Sequence, residues 1–222
     1  MTRAFGARTD PHVPGARGDR PEAVLSNAGL PTDRRLRDDG GMGFHHVALA
    51  TNDPAATQRF YTEVMGFELV KVVTGPTPGG GGWSRHFFFE TGASGDAGMI
   101  AFWEIHDDKI GEGFRTDLSR SLGLPVWVNH LAWDAPTLED LALHRERWRE
   151  HGITVAQVDH GFCTSIYATD PNGIMVEFCC TTRAFTAEEK AEAERLLADP
   201  APPLEAEPSV RIYEPVDAGA LA

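Results

Sequence analysis

The feature that most constrains the fold is an internal duplication. The segment "HVALATNDP", which begins at His46, recurs as "HLAWDAP", which begins at His130. In both copies a strand pattern is followed by a helix pattern and three more strand patterns, and Gly66 aligns near Gly152. A repeated unit of this size buries its apolar face by packing against its neighbour. The sequence therefore predicts an α+β fold in which two tandem βαβββ modules form one cupped mixed β-sheet with helices on the outside.

The duplicated part has flanking segments of different composition. The N-terminal segment is rich in Arg, Gly, Pro and Asp and has no hydrophobic period, which predicts disorder; alternatively, translation starts at Met42. The C-terminal segment contains the helix pattern "TAEEKAEAERLLAD" and is interpreted as a solvated appendage. The predicted division is a disordered extension (1–41), a paired-module domain (42–182, with modules 42–107 and 126–182) and a C-terminal helix and tail (183–222).

Composition excludes several classes of function. The formal net charge of −13 disfavours a nucleic-acid partner. No apolar run approaches the length that crosses a membrane, and the N-terminus does not resemble a secretory signal. The three cysteines, of which Cys179 and Cys180 are adjacent, form no disulfide framework. These observations predict a cytoplasmic protein whose partner is a small molecule, with a homodimer as a possible assembly.

The segment "HGFCTSIYATDPNGIMVEF" predicts a hairpin with an unusual acidic residue. "DPNG" suits a type I turn closed by a left-handed Gly173, so Asp170 pairs with residue 174 and Tyr167 lies opposite Glu177. Strand alternation places Glu177 on the more polar face and not in the core. Because a carboxylate within an apolar run needs a positive partner, a cation is expected beside Glu177.

The same alternation applies to the two duplicated first strands. The large apolar residues of "HHVAL" and "VNHLAW" favour the helix side, so His46 and His130 point to the opposite face. Two imidazoles and the Glu177 carboxylate then converge from three strands. This composition is typical of a 2-His-1-carboxylate Fe(II) site, and Mn(II), Zn(II), Ni(II) or Co(II) are alternatives.

The counterpart of Glu177 in the first module bears on how many ligands the ion has. Aligning "GMIAFWEI" with "GIMVEFCC" places Phe102 there, and an apolar side chain cannot ligate. Glu104, two residues further on the same face, remains a possible fourth ligand. Elsewhere, His45 is interpreted as structural, Trp103 and Trp148 as core, and Leu138, Leu141 and Trp148 as the apolar stripe of the second helix.

These motifs resemble the vicinal oxygen chelate superfamily, which includes glyoxalases, epimerases, extradiol dioxygenases and bleomycin-binding proteins. "HHVALATNDPAATQRFYTEVMGF" and "NHLAW" resemble its module openings, and "VDHGFCTSIYATDPNGIMVE" resembles the signature of type I extradiol ring-cleaving dioxygenases. The resemblance implies that His46, His130 and Glu177 bind the metal and that His160 and Tyr167 orient substrate or move protons.

The chain departs from the dioxygenase pattern at two points. A segment resembling "DHTLAF" usually carries a further acid–base histidine, and here "AGMIAF" places Gly98 at that position. His86 and His106 are candidates to replace it, although a structural role is favoured for both. These dioxygenases also commonly contain a second pair of modules, whereas this chain has one pair.

The leading functional hypothesis is an Fe(II)-dependent dioxygenase of extradiol type, which uses dioxygen and a catechol or another substrate with two vicinal oxygens. A second hypothesis is a glyoxalase- or epimerase-like lyase or isomerase in which Glu104 or Glu177 is the base. A third is a metal-free protein that sequesters a ligand in the same cup.

Overall fold

The computed structural model describes residues 44–92 and 98–217 of the chain. The predicted disordered extension, 1–41, lies outside the described residues. The first module has the order strand, helix and three strands, and Asp53 caps the helix by accepting a hydrogen bond from the Ala56 amide. Its elements are β1 (His46–Ala50), α1 (Pro54–Arg59, continued by a π-helical turn, Phe60–Val64), β2 (Glu68–Pro76), β3 (Gly82–Glu90) and β4 (Met99–Asp107).

The second module repeats this order. Thr137 caps its helix by accepting a hydrogen bond from the Asp140 amide, and both modules thus confirm the predicted duplication. Its elements are β5 (His130–Asp134), α2 (Leu138–Glu150), β6 (Val155–Asp159), β7 (Cys163–Thr169) and β8 (Met175–Thr181). A 3₁₀ turn (Arg120–Leu122) lies between the modules.

The predicted α+β class with two tandem βαβββ modules is confirmed. Hydrogen bonding divides the described strands into two mixed sheets, where the sequence predicted one cupped mixed β-sheet. Sheet A has the order β1-β4-β3-β2, and sheet B has the order β5-β8-β7-β6-β9. In each module the first strand runs parallel to the last, and the remaining pairs of strands are antiparallel. The first strands, β1 and β5, each end up at the edge of their own sheet.

The C-terminal segment is more than the appendage that its composition predicted. The surface helix is confirmed as α3 (Ala187–Ala198), which has no buried residues. Beyond it, β9 (Ser209–Tyr213) pairs antiparallel with β6 and widens sheet B. Tyr213 lies under the Arg145 guanidinium, with 4.3 Å between the guanidinium carbon and the ring centroid. The tail is therefore part of the second module's structure.

The core lies on the helix side of both sheets. Leu141 and Trp148 of α2 are buried, as predicted, but Leu138 at the start of that helix is 54% exposed and does not belong to the apolar stripe. Phe67 of the first module contacts Trp133 of the second, with ring centroids 5.3 Å apart. The two modules thus share one hydrophobic cluster. No helix in the described part of the chain has the length and hydropathy needed to cross a membrane.

Candidate metal centre

The hairpin of β7 and β8 forms as the sequence predicted. The Asp170 amide donates to the Ile174 carbonyl at 2.9 Å, and Gly173 adopts a left-handed φ of 79°. Tyr167 lies directly opposite Glu177. A β-carbon at Gly173 would also lie only 3.0 Å from the Asp117 β-carbon, so glycine suits this position for two reasons.

Alternation along the hairpin separates two chemically different faces. The core face carries Ile166, Ala168, Val176 and Phe178, which are all buried. The opposite face of sheet B carries Glu177 and is called the ligand face here, as is the face of sheet A that carries His46. On sheet B it bears Ser165, Tyr167, Thr169, Met175, Glu177 and Cys179.

Glu177 and His130 form the centre of the ligand face of sheet B. Glu177 is 5% exposed, and its Oε2 lies 3.0 Å from His130 Nε2. The other ring nitrogen of His130, Nδ1, lies 2.8 Å from the Trp127 carbonyl oxygen. A carbonyl only accepts, so Nδ1 carries a proton, and Nε2 is the nitrogen that faces Glu177.

This arrangement fits a bound cation. An imidazole nitrogen and a carboxylate oxygen are both common metal ligands, and here they lie 3.0 Å apart. Two ligands that hold one ion at right angles, each about 2.1 Å from it, are about 3.0 Å apart. A metal-binding histidine also typically donates its second N–H to a carbonyl or carboxylate, as His130 does. His130 and Glu177 therefore have the geometry of neighbouring ligands of one divalent ion.

Tyr167 and His160 extend the site by hydrogen bonds. The Tyr167 hydroxyl donates to Glu177 Oε1 at 3.2 Å. Because this uses the only hydroxyl proton, His160 Nε2 donates to the Tyr167 oxygen at 3.1 Å. Burial, together with the nearby Glu177 charge, raises the pKa of Tyr167 to about 12. The structure thus brings four of the five predicted site residues into one chain of polar contacts.

The fifth residue, His46, lies on the ligand face of sheet A. Its Nδ1 is 2.9 Å from His45 Nδ1, and its ring lies against Phe88 with centroids 5.4 Å apart. His45 thus contacts a predicted ligand, a role that its position on the strand did not indicate. Within residues 44–92 and 98–217, no three His, Cys, Asp or Glu side chains form a group that could hold a metal ion. His46 is therefore not gathered with His130 and Glu177.

The first-module counterpart of Glu177 is Ala101, and the prediction of Phe102 was wrong by one residue. His46 pairs with Met99 as His130 pairs with Met175, so the residue two positions further is Ala101 in one module and Glu177 in the other. Phe102 is fully buried on the core face. Alanine cannot ligate either, so this position still contributes no donor atom.

The same register removes Glu104 from the candidate site. Glu104 shares the core-side face with Phe102, opposite to His46. Its carboxylate lies 3.3 Å from Arg85 Nε and 2.9 Å from His106 Nε2. His106 also stacks on Trp83 at 4.1 Å between ring centroids. Glu104 and His106 therefore form a separate cluster on the other side of sheet A.

His86, in contrast, lies on the ligand face near His46, with ring centroids 6.1 Å apart. It stacks on Trp103 at 3.9 Å, so Trp103 lies on the ligand face and the prediction that it belongs to the core was wrong. Burial lowers the pKa of His86, and the neighbouring His46 lowers it further. Strand parity from His46 across β4 to β3 could have placed both residues there.

Two βαβββ modules with histidines at equivalent positions of their first strands, and a carboxylate on the last strand of one of them, define a protein of the vicinal oxygen chelate class. The chain belongs to the glyoxalase/bleomycin resistance protein/dioxygenase superfamily, whose family model matches residues 43–178.

Known proteins of this superfamily are similar to parts of the chain. A Bacillus subtilis (strain 168) protein, MhqE, provisionally named a ring-cleaving dioxygenase, is 33% identical over 113 residues, 47% of this chain and 36% of the relative. The match thus spans about a third of that relative. A domain from Frankia sp. EAN1pec matches with a TM-score of 0.47 and 20% identity, over 64% of this chain and 98% of that one. Fosfomycin resistance protein FosX from Listeria monocytogenes matches with a TM-score of 0.42 and 20% identity, over 68% and 98%.

Proposed function

We propose that this protein is an Fe(II)-dependent oxygenase of extradiol type that acts on a catechol or another small molecule with two vicinal oxygens. The observation that carries the proposal is the chain of polar contacts from His160 through Tyr167 and Glu177 to His130. It connects the proposed ligands His130 and Glu177 to the Tyr167 phenol and the His160 imidazole, which can donate and accept protons. The distant likeness to MhqE is in keeping with this activity.

The proposed ligands are His130 and Glu177, which lie together on sheet B, and His46, which lies on sheet A and is not gathered with them among the described residues. Bound Fe(II) supplies activation of dioxygen and polarisation of the two substrate oxygens. Two imidazoles and one carboxylate would leave room beside the ion for both reactants, and holding them together would remove much of the entropic cost of their encounter. Ala101, at the position equivalent to Glu177, keeps the first module from adding a fourth protein ligand.

Tyr167 and His160 act on the protons of the substrate. With a pKa of about 12, Tyr167 remains protonated at neutral pH, and its hydroxyl can exchange the bond to Glu177 for one to a substrate oxygen beside it. His160 is exposed and bonded to the Tyr167 oxygen, so it can exchange a proton between that oxygen and solvent. Together they would hold and move the hydroxyl proton of a bound diol.

Oxygen uptake tests the proposal directly. The protein is reconstituted with Fe(II) under anaerobic conditions, a panel of catechols is added, and oxygen consumption is followed after air is admitted. We expect consumption with at least one diol and its loss in His130→Ala. Metal binding without oxygen consumption on any diol would contradict the oxygenase assignment.

The alternatives have less support. A glyoxalase- or epimerase-like reaction with Glu104 as base is disfavoured because Glu104 lies on the opposite face of sheet A, paired with Arg85. A metal-free ligand-sequestering role predicts no stoichiometric metal in the purified protein. Metal analysis of wild type and His130→Ala separates that role from the proposed one.

A further inference from the structure

A cavity of about 330 Å³ lies on the helix side of sheet A, on the face opposite to His46. Its position follows from strand alternation: Arg85 and Phe87 of β3 line the cavity, whereas His86, between them, lies on the ligand face with His46. This volume is at the lower end of the roughly 300–1,000 Å³ that is typical of small-molecule sites. The cavity therefore has room for a small organic molecule, and the proposed oxygenase site does not use it.

Most of the cavity wall is apolar and comes from three elements. The apolar residues are Pro54 and Ala55 of α1, Leu69 and Val72 of β2, and Phe87 of β3. Leu69 remains 37% exposed and Val72 remains 43% exposed. An apolar body that fills the cavity would remove both side chains from water, and this burial favours binding.

Two polar side chains, Gln58 of α1 and Arg85 of β3, complete the wall, and Arg85 carries its positive charge. Arg85 Nε lies 3.3 Å from Glu104 Oε2, but the contact lacks hydrogen-bond geometry, because Oε2 is buried without a hydrogen-bond partner among the described residues. A guanidinium offers five N–H donors in a planar fork. The edge formed by the two terminal nitrogens of Arg85 is therefore left for another acceptor.

Glu104 does not depend on Arg85 alone for its position. Its other oxygen, Oε1, lies 2.9 Å from His106 Nε2. His106 stacks on Trp83 at 4.1 Å between ring centroids, and the Arg85 guanidinium carbon lies 5.5 Å from the Trp83 centroid. Arg85 can therefore bind a second carboxylate through its terminal nitrogens while His106 continues to hold Glu104.

The charges around the cavity favour a ligand with a single negative charge. Glu104 already offsets part of the Arg85 charge, and Asp53 caps α1 next to Pro54. A dianion such as a phosphate ester would meet two carboxylates with one guanidinium to offset them. A carboxylate carries one charge, and its two oxygens match the two terminal nitrogens of a guanidinium.

We propose that this cavity binds a small monocarboxylate with an aromatic or branched apolar body. The carboxylate bonds to Arg85, and the apolar body lies against Leu69 and Val72. Binding there requires neither a metal ion nor His130 and Glu177, so this site is a second one, separate from the proposed oxygenase centre.

Titration of the full-length protein with sodium benzoate, followed by ligand-detected NMR, tests the site. Benzamide is the control ligand, because it has nearly the same shape without the charge. We expect benzoate to bind at least about tenfold more tightly than benzamide, since only the carboxylate forms charge-assisted bonds to Arg85. Arg85→Gln should weaken benzoate binding about 10–100-fold. Val72→Trp, which fills the cavity from an exposed position and leaves the Arg85–Glu104 pair intact, should abolish binding and decides the matter if Arg85→Gln does not fold.

Val73→Trp is the matched control, because Val73 is the next residue of β2, is also exposed and pairs with His86 on the ligand face. We expect this variant and His130→Ala to bind benzoate as the wild type does. If the wild type does not bind benzoate, or binds benzamide equally well, the carboxylate site is wrong. If binding is lost in His130→Ala and survives in Val72→Trp, benzoate occupies the proposed metal centre and the cavity is not its site.

Discussion

The Tyr61 hydroxyl in the first module donates a hydrogen bond of 3.0 Å to Asp170 Oδ2 in the turn of the second module. Tyr61 is 0% exposed and Asp170 is 4% exposed. Beside them, the side-chain amide of Asn172 donates from Nδ2 to Thr57 Oγ1 at 3.2 Å. The "DPNG" turn therefore does more than close a hairpin. Its polar side chains hold the two modules together, so part of the dioxygenase-like signature has a structural role.

Removing the Tyr61 hydroxyl is expected to loosen this connection. In Tyr61→Phe, Asp170 loses a buried donor, and we expect the free energy of unfolding to fall by about 1–3 kcal/mol. Urea unfolding measures the change. Tyr213→Phe is the matched control, since its hydroxyl takes part in a bond with exposed Arg211 and its removal should cost less than about 0.5 kcal/mol. Equal effects of the two substitutions would contradict the connection.

Asp170 also makes the free energy of unfolding depend on pH. Burial raises its pKa above the ordinary value, despite hydrogen bonds from Asn172, Ile174 and Tyr61. Between its ordinary pKa and the raised one, the folded state binds more protons than the unfolded state. The stabilisation from the protonated carboxyl is thus present at low pH and is lost as pH rises through the folded-state pKa.

We expect Asp170→Asn to abolish this fall in unfolding free energy with rising pH. Urea unfolding of wild type and variant at a series of pH values from about 4 to 7 measures the two slopes. The difference between the two slopes reports on Asp170, because the other carboxylates titrate equally in both proteins. Identical slopes would show that Asp170 titrates alike in the folded and unfolded states.

The face assignments of two glutamates predict opposite effects on metal content. Glu177→Gln removes the charge of a proposed ligand, and we expect loss of stoichiometric metal by elemental analysis. Glu104→Gln is the matched control, because Glu104 lies on the other face of sheet A and bonds to Arg85 and His106. We expect this variant to keep its metal, and loss of metal from it would return Glu104 to the site.

Tyr167→Phe separates proton handling from metal binding. If the hydroxyl positions the substrate oxygen, we expect kcat to fall by about 10²–10⁴-fold while metal content is unchanged. Steady-state kinetics on the best diol, with metal analysis of the same sample, measures both quantities. A variant that loses its metal instead would show that the bond to Glu177 mainly orients a ligand.

The C-terminal strand predicts a stability effect far from the site. In Tyr213→Ala the ring that packs under Arg145 and beside the core is lost, and we expect about 1–3 kcal/mol of destabilisation. Leu197→Ala on α3 is the control, since Leu197 is 90% exposed and its loss should be neutral. Comparable effects of the two changes would mean that β9 contributes little to sheet B.

Much of the site followed from alternation along single strands. Because successive side chains of a strand point to opposite faces, the faces of Tyr167, Glu177 and Phe178 could be predicted without knowledge of the neighbouring strands. The equivalence of positions between the two modules could not be obtained in this way. Gly98 and Gly173 were aligned, but Met99 follows Gly98 directly, whereas Ile174 lies between Gly173 and Met175. That residue closes the turn with Asp170, and it shifts the equivalence by one position.

Contacts between residues that are distant in sequence also could not be predicted from the pattern of a single strand. Segment "SVRIY" has the composition of a strand, but nothing local indicates that its partner is β6, about fifty residues earlier. Likewise, the bond between His45 and His46 depends on the bend before β1, because neighbouring residues within a strand would point to opposite faces. Such features arise from the path of the backbone between elements.

The position of β9 has a consequence for biosynthesis. Chains emerge from the ribosome N-terminus first, so all four strands of sheet A can pair before any residue of β9 is made. Until residue 213 has emerged, β6 remains an uncovered edge of sheet B. The nascent chain is then most exposed to wrong pairing late in translation, and chaperone contact at that stage would protect β6.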